Sequence, residues 1–251
     1  MTILGMRTGT LRALLSFIIT WIIVLWSMSG KANSFDVLGT AFSLDRKQIL
    51  YTESHHILLD NMGQPKSSQV HYRESSGSKI GDKTLTYHAN LLMPDYIMRN
   101  SRIETWISAK ARGELLFIEY YNGHAVSKHT LELDSDRIQI IDAGLNWLIR
   151  DRWKQLLKGE ELEVDLLALT KARFVTFKME VTNHDTDSVI ITLDPASFFV
   201  RLLVDQIELR YNKKTQQLKS FSGVRIPPGI VDKHNLNRKF ETYVEYSQAG
   251  I

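Results

Sequence analysis

The stretch 114–133 reads ELLFIEYYNGHAVSKHTLEL, and it predicts a β-hairpin. From Leu115 to Tyr121 most side chains are apolar or aromatic, with Leu115, Phe117 and Glu119 on one face and Leu116, Ile118 and Tyr120 on the other, which is typical of a strand. The pair Asn122-Gly123 follows at once, and these two residue types tolerate the positive φ angles of a tight hairpin turn. A second extended segment then runs to Leu133. This hairpin predicts an antiparallel, strand-rich fold.

Segments of the same kind lie on both sides of the hairpin. Short alternating runs separated by polar turns predict further strands at 48–55, 68–73, 83–89, 102–108, 161–169, 174–181, 189–193, 207–211, 218–221 and 239–246. We find no internal repeat and no linker rich in Ser, Gly or Pro. The pattern therefore predicts a single β-rich domain over residues 33–251.

Two helices interrupt the strands. The apolar residues between Ile141 and Leu157 recur at helical spacing, so we expect one long helix that Asp142 caps and Gly159 ends. Asp194-Pro195 predicts the start of a short second helix. The expected fold class is α+β: one strongly curved antiparallel sheet, half-barrel like, with the long helix packed on its concave face.

The first 32 residues differ from the rest of the chain. They contain three basic residues and no Asp or Glu, and an apolar run covers 13–28. That run is shorter than the roughly 20 residues that span a bilayer, and small residues follow it, so we expect a signal peptide over 1–32 that is cleaved before Asn33. The alternative is a retained inner-membrane anchor that leaves the body facing the periplasm. Both interpretations predict export to the periplasm, with membrane contact only through 13–28 if the segment is kept.

Composition excludes several classes of function. Three of the 31 basic residues lie in the N-terminal segment, which leaves 28 basic against 28 acidic residues in the body, so no basic surplus predicts nucleic-acid binding. The chain has no Cys, which removes thiolate nucleophiles, thiolate metal sites and redox chemistry. The eight His residues lack the spacings of a metal site, and neither a phosphate-binding loop nor a nucleophile elbow occurs. We therefore expect neither a metal nor a cofactor.

Several patterns of the body resemble a known family. They are Gly39-Thr40-Ala41, the run Leu50–His55, Asp142-Ala143-Gly144 before the helix with Trp153, Leu156 and Gly159, the run Leu202–Asp205, Leu209-Arg210-Tyr211, and Gly223. Together they resemble a family of exported bacterial proteins of unknown function, whose domain is similar to the half-barrel of periplasmic lipoprotein carriers. The resemblance implies a curved sheet with an apolar interior and implies no substrate. One loop departs from the family, because Val224–Pro227 stands where the family has Asn-Ile.

Two sets of residues are candidates for a site. The first would line an apolar trough and contact a ligand: Trp106, Phe117, Trp147, Trp153, Phe198, Phe199 and Arg201. Ordinary core packing is the alternative for the aromatic residues, an edge or partner contact for Trp147, and an ion pair with Asp194 or Asp205 for Arg201. The second set is Tyr51, Glu53 and His55, which share one face of a strand. It is either a polar site at the mouth of the trough or a solvent-facing strand edge.

These observations lead to three hypotheses of function. The first is a non-enzymatic periplasmic protein that binds a lipid or a lipoprotein acyl chain in the cavity of the curved sheet. The second is an envelope scaffold that binds a protein partner through a sheet edge or Trp147. The third is a hydrolase that uses Glu53 and His55.

Overall fold

The computed structural model describes residues 34–201, 206–224 and 241–248, without the side chains of 199, 200, 224, 241 and 248. The expected signal peptide or anchor therefore lies outside the described residues. Within them, no helix combines the length and the apolar character needed to cross a bilayer.

Fifteen strands form one sheet, so the strand-rich prediction is confirmed, although the sequence patterns predicted only twelve of them. The strands are β1 Ser34–Phe42, β2 Ile49–Leu59, β3 Pro65–Arg73, β4 Lys79–Thr86, β5 Asp95–Asn100, β6 Thr105–Arg112, β7 Leu115–Tyr121, β8 Val126–Glu132, β9 Gln139–Ile140, β10 Leu162–Ala168, β11 Arg173–His184, β12 Ser188–Pro195, β13 Ile207–Asn212, β14 Leu218–Val224 and β15 Glu241–Gln248. The predicted hairpin at Asn122-Gly123 joins β7 to β8.

The strand order is that of an up-and-down barrel with one opening. Each strand pairs with its sequence neighbours, and β1 pairs with β15, so the only neighbours that do not pair among the described strands are β8 and β9. Every pairing is antiparallel except the short one between β9 and β10. We call the gap between β8 and β9 the seam.

The short connection between β8 and β9 requires the sheet to curl. Fifteen flat strands about 4.8 Å apart would place β8 and β9 roughly 67 Å from each other. Only residues 133–138 connect these strands, and such a connection spans at most about 25 Å. Leu116 of β7 and Leu167 of β10 accordingly belong to one hydrophobic cluster, although they lie near opposite ends of the strand order. The predicted curved, half-barrel-like sheet fits this arrangement.

The helices differ from the prediction. The expected long helix is two short ones, α1 Gly144–Asp151 and α2 Trp153–Leu157, separated by Arg152 at φ −92° and ψ 11°. Asp142 does not cap α1, because its backbone has φ +46° and its side chain pairs with Lys83 instead. Gly159 does follow the helices with φ +83°, as an end signal requires.

The helices fill the interior of the curled sheet. Leu148, Ile149 and Leu156 are buried in a cluster with residues of β10 to β13, so the inward face of the helices is core. The second predicted helix is a single turn, α3 Phe198–Arg201. Asp194-Pro195 does not start it, because both residues end strand β12.

Candidate functional site

A groove lies at the end of the barrel next to the seam. Its volume is about 760 Å³, which is within the range of small-molecule sites. Three loops, the seam connection and α1 meet there. The lining comprises Gly63, Gln64, Pro65, Ala89, Asn90, Leu91, Leu92, Met93, Gly113, Glu114, Leu133, Asp134, Ser135, Arg137, Ile138, Gln139, Trp147, Leu148, Arg150, Asp151 and Arg152.

The apolar part of the groove is incompletely covered by the protein. Leu91, Leu92, Leu133 and Ile138 are each half-buried, although they pack against the core clusters. Half-buried aliphatic side chains around a concavity offer apolar area that a ligand could remove from water. The groove therefore has the surface chemistry of a site for an apolar chain.

Trp147 forms the aromatic wall of the groove. Its ring lies edge-on to Tyr87 with centroids 6.2 Å apart, and the Arg150 guanidinium lies 5.0 Å from its ring centroid. Burial raises the pKa of Tyr87 to about 12, and a hydrogen bond from Trp147 opposes this only in part. Tyr87 is thus a neutral phenol that holds Trp147 in place.

Arg150 is the unpaired cation of the groove. Among the described residues, no carboxylate lies within ion-pair distance of it. The other two arginines of the lining are paired: Arg137 contacts Asp165 at 2.7 Å, and Arg152 contacts Asp151 at 3.3 Å. Arg150 is also half-buried, so its charge is only partly solvated. This arrangement favours an anionic group beside Trp147.

Close backbone contact fixes α1 against one wall of the groove. The N–H of Ile141 donates a hydrogen bond of 2.9 Å to the carbonyl of Leu92. A Cβ at Gly144 would overlap the same carbonyl oxygen, so only glycine permits this approach. One turn later, α1 presents Trp147 and Arg150 to the groove. The geometry of the groove therefore depends on the β4–β5 loop and the start of α1.

The second candidate set lies inside the barrel. Tyr51, Glu53 and His55 share the inward face of β2, and Glu53 is 0% exposed. The His55 Nε2 atom is 3.5 Å from Glu53 Oε1, and Tyr246 packs edge-on against the His55 ring. Across the β1–β2 pair stands Gly39, where a Cβ would come within 2.6 Å of Glu53 Cγ.

Both expectations for this set were wrong. Glu53 is neither at a cavity mouth nor on a solvent-facing edge, because curling turns this face of β2 into the core. A carboxylate beside an imidazole can perform acid–base chemistry, but a substrate has no access to a fully covered oxygen. The geometry assigns Glu53 a place in the polar part of the core.

The predicted trough residues divide among three places. Trp106 and Phe117 lie on the outer face of the sheet, where Trp106 stacks on Tyr121 and Phe117 is 43% exposed. Their expected inward orientation was wrong, because the alternate residues of β6 and β7, such as Ile107 and Ile118, occupy the core. Trp153 is buried core and packs edge-on against Tyr211, so only Trp147 reaches the groove.

The α3 residues lie away from the groove. The lining of the groove includes neither Phe198 nor Arg201. Phe198 is 70% exposed, and the Phe199 side chain lies outside the described residues. Arg201 Nε donates a hydrogen bond to the Pro195 carbonyl at 2.9 Å and forms no ion pair with Asp194. These residues do not share a site with Trp147.

Sequence reasoning missed Arg150 as a site residue. The usable signal was the spacing of three residues from Trp147, which places both side chains on one helix face. Within the described part of the chain, no three His, Asp or Glu side chains converge as metal ligands would.

Comparisons with known proteins add two distant structural similarities. No protein-family model matches the chain, and no curated protein matches it. A beta-barrel-like protein of the domain of unknown function DUF1849 from Brucella abortus aligns with a TM-score of 0.44 and 8% identity, over 85% of this chain and 94% of that one. A porin-like protein from Bacteroides uniformis ATCC 8492 aligns with a TM-score of 0.29 and 9% identity, over 87% of this chain and 96% of that one. The barrel-like architecture of this chain therefore rests on its own strand order and connections.

Proposed function

We propose that this protein is a non-enzymatic binding protein of the bacterial periplasm, and that its groove takes an anionic, lipid-like ligand. The observation that carries the proposal is the half-buried Arg150, which lies over Trp147 without an acidic partner among the described residues. The proposed location rests on the pattern of residues 1–32.

The two ends of the ligand would have different contacts. Its anionic group would lie at Arg150, since a guanidinium donates paired hydrogen bonds to a carboxylate or a phosphate. Its apolar chain would cover Leu91, Leu133 and Ile138 and lie against the Trp147 ring. A fatty acid, a phospholipid and the acyl chain of a lipoprotein share this chemistry.

The first test is native mass spectrometry of the protein purified from its envelope without detergent, followed by solvent extraction. A stoichiometric adduct that extracts as a lipid supports the proposal and gives the class of ligand. Fractionation of the cells tests the location, because the proposal expects the chain in the periplasmic fraction or on the periplasmic side of the inner membrane.

The second test uses cis-parinaric acid, a fluorescent fatty acid, as the probe. Arg150→Gln should weaken its binding roughly 10- to 100-fold, because a hydrogen bond to a charged group contributes about 1.5–3 kcal/mol. The matched control is Arg201→Gln, the same substitution at an arginine outside the lining of the groove, which should leave the affinity unchanged. The methyl ester of the probe should bind the native chain and Arg150→Gln equally. Loss of binding in both arginine variants, or in neither, would contradict the assignment.

A further inference from the structure

Among the described strands, β8 forms an open edge of the sheet at the seam. Six of its seven residues are exposed, whichever face of the sheet they occupy, so the strand projects from the body of the barrel. An exposed strand edge can pair with another chain, and proteins usually protect such edges.

The register with β7 shows which backbone groups are available. The N–H of Asn122 donates a hydrogen bond to the carbonyl of Ala125, and the N–H of Leu133 donates one to the carbonyl of Glu114. Because hydrogen-bonded pairs alternate along an antiparallel ladder, Ser127, His129 and Leu131 point their backbone groups at β7.

The remaining residues, Val126, Lys128, Thr130 and Glu132, point their N–H and C=O groups away from β7. No described backbone group pairs with them. Every second residue of β8 thus offers one donor and one acceptor to an incoming strand.

We propose that β8 pairs antiparallel with β8 of a second copy of this chain, with the two-fold axis at Thr130. In this register Thr130 faces Thr130 of the second copy, and Lys128 faces Glu132 in both directions. A register centred on Lys128 would place two ammonium groups opposite each other, and one centred on His129 would leave Lys128 facing Thr130. Opposite charges directly across a strand pair are favourable, so the charges select the Thr130 register.

Side chains on the outer face of the sheet also favour this pairing. Lys128 already pairs with Glu119 of β7 at 2.8 Å, so Glu132 of the second copy would extend a row of alternating charges. Phe117 lies beside Thr130 in the ladder and is 43% exposed, and Leu115 lies beside Glu132 and is 37% exposed. Both apolar side chains would border the new strand pair. The interface is isologous, so it closes as a dimer and does not extend into a filament.

Sedimentation velocity of the full chain in a density-matched detergent tests the proposal. The native chain should form a dimer in the micromolar range. Thr130→Pro removes only the outward N–H and keeps the pairing with β7, and it should raise the dimer dissociation constant about thirtyfold, since two hydrogen bonds are lost across the axis. Thr130→Val keeps the N–H and should remain dimeric. Unchanged cis-parinaric acid binding or far-ultraviolet circular dichroism confirms that each variant is folded.

A charge exchange tests the register. Glu132→Lys should weaken the dimer because it sets two ammonium groups against each other, and adding Lys128→Glu should restore it. A monomeric native chain, or a dimer that Thr130→Pro leaves intact, would overturn the proposal. Failure of the double variant to recover would overturn the Thr130 register.

Discussion

The ion pair between Lys83 and Asp142 offers the sharpest test of how the sheet is held around its helices. Lys83 Nζ on β4 lies 2.8 Å and 3.1 Å from the two oxygens of Asp142, which follows β9. The two strands are far apart in the strand order, so the pair connects distant parts of the sheet. The Lys83 side chain is 10% exposed and that of Asp142 is 23% exposed. We predict that Asp142→Asn destabilises the protein strongly.

The expected loss follows from the burial of the pair. Removing one partner of a buried ion pair costs about 3–5 kcal/mol, because the remaining charge stays in a poorly solvated place. Water reaches part of Asp142, so we take the lower end, about 3 kcal/mol. Asn accepts the left-handed backbone at φ +46°, whereas Ala would add strain, so Asn isolates the loss of charge.

Equilibrium unfolding in urea, followed by tryptophan fluorescence, measures the effect. For a chain of this size about 3 kcal/mol corresponds to a fall in Tm of roughly 6–12 °C. Lys83→Met in the Asp142→Asn background removes the buried ammonium group that has lost its carboxylate and should recover part of the loss. The ion pair does not connect the sheet in this way if Asp142→Asn lowers the free energy of unfolding by less than about 0.5 kcal/mol. The same holds if the effects of the two substitutions on that free energy are additive.

Three further substitutions test the core and the groove. Gly39→Ala should cost about 1–3 kcal/mol by chemical denaturation, because its methyl group overlaps the fully buried Glu53 side chain; a cost near zero would mean that Glu53 has room to move. Gly144→Ala should push α1 away from the β4–β5 loop, so both the Tm and the affinity for cis-parinaric acid should fall. An unchanged affinity would show that the geometry of the groove does not depend on this contact. Hydrogen bonds from Arg137 lower the pKa of Asp165 against the effect of burial, so the stability from Asp165 is complete above about pH 4 and is lost as the pH falls further. Arg137→Gln should lower the stability at neutral pH and make this acid-dependent loss smaller, because the pKa of Asp165 moves back towards its unfolded value, and identical profiles of Tm against pH would refute the coupling.

The sequence predicted those features that depend on near neighbours. The turn at Asn122-Gly123 and the end of the helical region at Gly159 were predicted because Gly123 and Gly159 adopt positive φ angles, +93° and +83°, which few other residue types tolerate. The shared face of Tyr51, Glu53 and His55 was also predicted, because strand side chains alternate without regard to the rest of the fold.

Distant contacts produced the errors. Apolar spacing runs from Leu148 through Trp153 to Leu156 without a gap, so periodicity could not reveal the break at Arg152. In β7 both faces are apolar, so the pattern could not tell that Phe117 points outward and Ile118 inward. The same limit hid the burial of Glu53, since only the curling of the sheet decides which face of β2 becomes core.

The seam explains why the groove and the open edge occur together. Pairing of β1 with β15 closes the barrel everywhere except between β8 and β9, and β9 has only two residues. The chain between β9 and β10 is therefore free to form α1, which carries Trp147 and Arg150 to the rim. On the other side of the seam, no described strand pairs with the edge of β8 that faces away from β7. The groove and the edge use different residues, so Arg150→Gln should weaken ligand binding in a dimer, and Thr130→Pro should give a monomer that still binds.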